Sequence, residues 1–250
     1  MARNDPIRAS VLVLAVAAAI VALLVVAHAP AGAANDSLPD LRMARLQNLH
    51  IQNTDGRKLL RFDSIVVNVG AGGFEARGSR TDTSTDMTVR QRIFDTAGSS
   101  RYRDTAARMY FGGDGHDHWH LRDMEDFALT RLDSGSKVGT GAKHGFCFWD
   151  NYRFGASQSA YYKGCGSDPA ALRQRMGLSR GWGDIYPSSL PDQYIDVTSL
   201  TSGRYKLRAT ADAANWFSET NNANNFTWVD IQISGNSVSV IRWGPAARPI

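Results

Sequence analysis

The sequence predicts a mainly β protein: an antiparallel β-sandwich core with long loops and one or two short helices. Beyond residue 57 the apolar residues recur with a period of two, which places alternate side chains on one face of a strand. These runs are short and are separated by Gly, Asn, Asp and Ser, the residues that favour turns between antiparallel strands. A chain of 250 residues with 43% hydrophobic and 21% charged positions can bury one substantial core, which excludes a disordered or collagen-like chain.

Taken in order, the chain begins with Arg3 and Arg8 ahead of a near-continuous apolar run from Ala9 to Ala27, and then Ala31-Gly32-Ala33. A basic start, an apolar stretch and a small-x-small site form an export signal, so residues 1–33 are expected to be removed and one domain to span 36–250, secreted and extracellular. The run is long enough that an uncleaved anchor is the alternative. No second apolar stretch could cross a membrane, so none is expected in the mature form. A net charge of +4 is too mild to argue for nucleic acid as a partner.

Ile65, Val67 and Val69 alternate before Gly70-Ala71-Gly72-Gly73, and Met87, Val89, Gln91 and Ile93 alternate against Thr88, Arg90 and Arg92. Each such strand should have one wet and one buried face. Asp168-Pro169 before Ala170 to Met176, closed by Gly177, has the cap, first-turn proline and terminal glycine of a short helix. Tyr205, Leu207 and Ala209 mark another strand, and Thr227 to Ile233 runs through Ser234-Gly235-Asn236 into Val238 and Val240 as a hairpin. Cys147 and Cys165 are expected to pair in an oxidising milieu, stabilising the fold by ~3 kcal/mol; free or metal-bound thiols are the alternative.

His116, His118 and His120 occupy positions i, i+2 and i+4, which on a strand project from one face roughly 6 to 7 Å apart. Three imidazoles directed at one point suit a transition metal and leave coordination positions open, as in a catalytic site. Spacing alone does not choose between zinc, copper, iron and nickel. A solvated polar face is the plain alternative, since Asp114, Asp117 and Asp123 surround the cluster.

Asp114-Gly115-His116-Asp117-His118-Trp119-His120, Phe127, Lys143-His144-Gly145-Phe146-Cys147, Asp184-Ile185-Tyr186 and Gln193-Tyr194-Ile195-Asp196-Val197-Thr198 follow one another in the order of the lysyl oxidase catalytic domain, which this chain resembles. Leu38-Pro39-Asp40-Leu41, Leu59-Leu60-Arg61-Phe62 with Asn68-Val69-Gly70, and Ser218 to Asn225 extend the resemblance across the mature chain. It is similar to the compact microbial members; animal members are cysteine-rich in this domain, whereas this chain has two cysteines.

The resemblance implies copper on His116, His118 and His120, and a lysine tyrosylquinone made from Lys143 and Tyr186. It implies oxidative deamination of a primary amine, with peptidyl lysine as a candidate, by dioxygen to an aldehyde, hydrogen peroxide and ammonia. A phenol can be oxidised to an ortho-quinone, and a neutral lysine amine can add to it. His144, Asp184 and Asp196 are candidates for the proton-abstracting base. Glu219, Asn221, Asn224 and Asn225, with Asp40 and the Leu41 carbonyl, offer oxygen donors that the resemblance assigns to calcium; an Asn-rich turn capping its own backbone is the alternative. Two other functions compete. A secreted zinc metallohydrolase could use the same histidines, and a non-catalytic metal-binding adhesion domain would leave Lys143 and Tyr186 far apart.

Overall fold

A computed structural model describes residues 35–112 and 117–250. The expected export signal and His116 lie outside the described residues. Among the described residues the chain forms three antiparallel sheets. The first runs β11 (Gly145–Phe146), β8 (Trp119–Arg122), β7 (Ser100–Phe111), β6 (Met87–Asp95), β5 (Phe74–Ser79), β13 (Arg173–Leu178), with β1 (Asp36–Ser37) beside β6. The second runs β10 (Lys137–Thr140), β9 (Glu125–Arg131), β16 (Gly203–Ala211), β17 (Phe226–Ser234), β18 (Ser237–Trp243). The third is built on the long β4 (Arg57–Asn68). Its first half pairs with β3 (Gln47–Thr54) and β15 (Tyr194–Asp196), and its second half with β2 (Leu41–Met43) and β14 (Trp182–Tyr186), beyond which lies β12 (Tyr152–Arg153).

The period-two runs form strands as expected: β6, β16 and β17 bury alternate side chains, and β17 turns into β18 as a hairpin, whereas β18 itself lies largely exposed, with Val240 at the surface rather than in the core. Their inward residues meet in one core. Phe62 of β4 packs edge-on against Phe127 of β9 with ring centres 5.1 Å apart, and Phe74 of β5 against Phe217 at 4.9 Å. Val89, Leu129, Leu207 and Ile231 complete the contact between the sheets. The second half of β4 departs from the wet-face expectation. Ile65, Val66 and Val67 are all fully buried, because Ala44 and Phe154 cover the Ile65–Val67 side while Val66 faces the main core.

The helix expected from Asp168 to Gly177 does not form. The capping signal is real, but it makes a turn: the Asp168 carboxylate accepts from the Ala170 N–H at 2.8 Å. The chain then becomes β13, six residues paired in unbroken register with β5, and Met176 and Leu178 are wholly buried there. Local propensity yields to the packing of those two side chains. Among the described residues the helical content is one 3-10 turn, Asn222–Asn224.

Cys147 and Cys165 are joined in a disulfide. The bridge holds the loop before β13 against β8, where the Trp119 N–H donates to the Gly166 carbonyl at 3.2 Å and the Trp119 indole to the Asp168 carbonyl at 3.0 Å. Among the described residues no helix is long and apolar enough to cross a membrane.

Candidate active site

All three sheets contribute to one region. β8 and β11 form an edge of the first sheet, β14 ends at Tyr186 in the third, and β9 of the second begins at Glu125. His120 stands on β8 and is buried, whereas His118 lies just ahead of the strand, so the histidines do not share one regular strand as expected. The Gly112 N–H, just past the end of β7, donates to the His118 carbonyl at 2.9 Å. The two imidazoles still meet, with ring centres 4.3 Å apart. Gly145 leaves room for the Tyr110 hydroxyl and the His120 ring: a Cβ there would stand 2.2 Å from the first and 3.0 Å from the second.

Lys143 precedes β11 and is buried, with Nζ 5.3 Å from the centre of the Tyr186 ring and 5.5 Å from that of Phe146. Tyr186 is held in place from three sides. Its backbone pairs with Ser64 of β4, its ring packs edge-on against Phe146 at 5.3 Å, and its hydroxyl donates to the Cys147 carbonyl at 3.0 Å. Asp117, His118, His120, Lys143 and Tyr186 line one cavity of about 520 Å³, which has Trp149, Ile185 and Leu190 as apolar wall.

Lys143 also faces a second cavity of about 530 Å³, lined by Asp123, Glu125, Asp126, His144 and Trp216. Glu125 is the residue that sequence reasoning missed. Neither of its carboxylate oxygens has a hydrogen-bond partner among the described residues; the Ser64 hydroxyl lies beside it without meeting hydrogen-bond geometry. Burial pushes this carboxyl up to about 8, opposed by Ser64 and the Lys143 charge. The signal was available: on β9, Glu125 falls in the core-facing set with Phe127 and Leu129.

Of the three candidate bases, Asp184 alone lines the cavity with Tyr186. Burial raises its pKa well above the usual carboxylate range, opposed by the nearby Tyr186 hydroxyl and by the hydrogen bond that the Asn151 amide donates to Oδ1. Burial likewise raises the Tyr186 phenol well above its ordinary value, and the Asp184 and Glu125 charges add to this. His144 is exposed and pairs through Nδ1 with Asp123 at 2.7 Å, on the side of the second cavity. Asp196 is exposed and occupied with the Thr198 N–H and hydroxyl.

The oxygen-donor cluster forms a separate site. The Leu41 N–H donates to Glu219, the Asn225 amide donates to Glu219 at 2.8 Å, and the Asn224 amide to Asp40 at 3.2 Å. Asn221 uses its carbonyl oxygen to cap the 3-10 turn at Ala223. Asp40 Oδ1, Asn224 Oδ1 and Asn225 Oδ1 are buried without a hydrogen-bond partner among the described residues. Burial pushes the Glu219 carboxyl up to about 8. Gly70 allows the close approach of the first segment, since a Cβ there would lie 2.4 Å from the Asp40 nitrogen.

Comparison with known proteins gives a consistent result. The lysyl oxidase family profile matches residues 87–242, more than half of the chain. Protein-lysine 6-oxidase of Gallus gallus is 29% identical over 122 residues, 48% of this chain and 27% of that protein. Lysyl oxidase homolog 1 of Homo sapiens is 28% identical over 125 residues, 50% of this chain and 20% of that protein. Lysyl oxidase homolog 2 of Rattus norvegicus is 26% identical over 180 residues, 71% of this chain and 19% of that protein. The matched segment thus spans about a quarter or less of the length of these relatives.

Proposed function

The chain belongs to the lysyl oxidase family, and from that membership we propose that it is a secreted copper amine oxidase with a lysine tyrosylquinone built from Lys143 and Tyr186. The overall reaction converts a primary amine, dioxygen and water to an aldehyde, ammonia and hydrogen peroxide, with peptidyl lysine as a candidate substrate. One observation carries the reading: the Lys143 Nζ lies 5.3 Å from the Tyr186 ring centre in a cavity that His118 and His120 also line. Two adjacent imidazoles are a donor set that suits copper, and His116 would be the third ligand. Copper with dioxygen would supply the oxidation of the Tyr186 ring to the quinone that the Lys143 amine captures.

The protein's own groups prepare both partners. Lys143 is buried with its amine against the Tyr186 ring, and addition to the quinone needs that amine in its neutral form, with a free lone pair. Glu125 beside Lys143 is a carboxyl whose pKa, pushed up to about 8 by burial, suits it to accept and return a proton near neutral pH, and Asp184 beside Tyr186 is a second buried carboxyl that holds its proton more tightly than an exposed one. The hydrogen bond to the Cys147 carbonyl and the edge contact with Phe146 orient the ring. Asp117 gives the cavity a carboxylate for the substrate ammonium, and the apolar wall takes its alkyl chain. At the second site, the buried unpartnered oxygens of Asp40, Asn224 and Asn225 beside Glu219 fit calcium as a structural cation.

Redox-cycling quinone stain and peptide mass spectrometry of copper-loaded protein test the reading. Wild-type protein should stain and yield a linked peptide containing Lys143 and Tyr186; Lys143→Arg and Tyr186→Phe should each lose both signals. A guanidinium keeps the charge but does not shed its proton to become a nucleophile. Stain that persists in both variants would sink the pairing. A zinc hydrolase on the same imidazoles predicts instead that Lys143→Arg keeps its activity and that no peroxide appears. An inert adhesion module requires Lys143 and Tyr186 apart, and their separation does not favour it.

A further inference from the structure

The outer face of the first sheet carries a ladder of arginines that the amine chemistry does not use. Along β13, β5 and β6 the register sets Arg175 opposite Arg77 and Arg77 opposite Arg90. Directly paired side chains share a face about 5 Å apart, where like charges repel and lower stability. The next row along the strands has Arg173 and Arg108 at its ends, with Ser79 and Thr88 between them. Short hydroxyl side chains thus form a low floor flanked by longer arginines.

Only part of this charge is neutralised. Arg77 pairs with Glu75 at 2.6 Å and Arg90 with Asp104 at 2.9 Å. Arg108, Arg173 and Arg175 have no carboxylate at ion-pair distance among the described residues; Arg108 donates to the Ala107 carbonyl and Arg175 to the Tyr161 hydroxyl at 2.8 Å. An exposed aromatic ring stands near each end of the strip. The Arg90 guanidinium lies 5.2 Å from the centre of the Tyr102 ring, and that of Arg175 lies 5.0 Å from the Tyr161 ring. Tyr102 is 44% and Tyr161 54% exposed.

We infer that this face docks a linear anionic polysaccharide. Arginine forks bind sulfate and carboxylate groups through paired N–H donors, and an isolated exposed tyrosine offers a flat surface to a pyranose ring. A single-stranded nucleic acid fits less well. Successive bases need neighbouring stacking platforms, whereas β13 and β7 are three strand spacings apart, about 14 Å. The ladder occupies the β13–β7 part of the sheet, while the His120 and Lys143 cavity sits by β8 and β11. This inference does not depend on the amine oxidase reading.

Binding of the full chain to fluorescent dextran sulfate at several salt concentrations tests it. The Arg90→Ser/Arg173→Ser/Arg175→Ser triple variant should bind at least tenfold more weakly at moderate salt and show a shallower salt dependence, because fewer counterions are displaced. A control variant, Arg57→Ser/Lys137→Ser/Arg204→Ser, removes the same charge from exposed positions elsewhere and should stay within about twofold of wild type. Unchanged thermal melts would establish that both are folded. Equal weakening in the two variants would reduce the effect to net charge and overturn the inference. So would binding of single-stranded DNA or of phosphatidylglycerol vesicles as tight as that of dextran sulfate.

Discussion

Glu125 shows how much a single side chain can say about a site. Its carboxyl, held up to about 8 against an ordinary 4.5, keeps in the folded state a proton that the unfolded chain sheds above pH 4.5. Between those values the folded state binds more protons, so this group's contribution to stability falls as pH rises, by about 1.4 kcal/mol per pH unit. Glu125→Gln removes that slope. Urea midpoints of the metal-free proteins at pH 5, 6.5 and 8 should therefore show the variant gaining on wild type toward pH 8. Parallel pH profiles would mean that the Glu125 pKa is not raised by folding, which would leave it too weak a base to take a proton from Lys143 near neutral pH. The same scale shows the limits of sequence reading. The histidine spacing was reason to expect a metal site, but Lys143 and Tyr186 entered only through the family resemblance, and nothing in their local sequence distinguishes a buried lysine from a solvated one.

At the scale of elements, the period-two strands were legible because alternation is a local property that each strand carries alone. β13 was not legible: its segment opens with a valid helix signal, and only pairing with β5 overrides it. The two-sided burial of β4 was hidden for a similar reason, since Phe154 and Ala44 are distant in sequence from Ile65 and Val67. The loop between β11 and β13 depends on its covalent staple. Replacing Cys165 with Ser should lower stability by ~3 kcal/mol, read as a drop in the urea midpoint with an unchanged native fold. The cavity would suffer too, because Cys147 and Cys165 both line it. A variant as stable as wild type would show that packing of Trp119 against Gly166 and Asp168 holds the loop without the bridge.

For the whole molecule, the Glu219 cluster ties the beginning of the described domain to its last hairpin. The Thr220 N–H donates to the Pro39 carbonyl at 2.8 Å, and Glu219 receives the Leu41 N–H. Calcium bound there would stabilise the folded state by mass action, by about 2.7 kcal/mol at a hundred times its dissociation constant. Calorimetry of copper-free protein should show Tm falling in EDTA and recovering in calcium chloride, with the response abolished in Glu219→Ala. A Tm indifferent to calcium would leave the cluster as a backbone-capping turn. By itself, the sequence determined the fold class, most of the strands that alternation marks, the imidazole cluster and the family, because each is written in local spacing or in ordered motifs. Tertiary structure alone decided that β13 is a strand, that Glu125 stands beside Lys143, that Lys143 faces the Tyr186 ring, and that five arginines share one face. Those facts depend on register and packing between segments far apart in the chain, and no local pattern encodes which strands become neighbours.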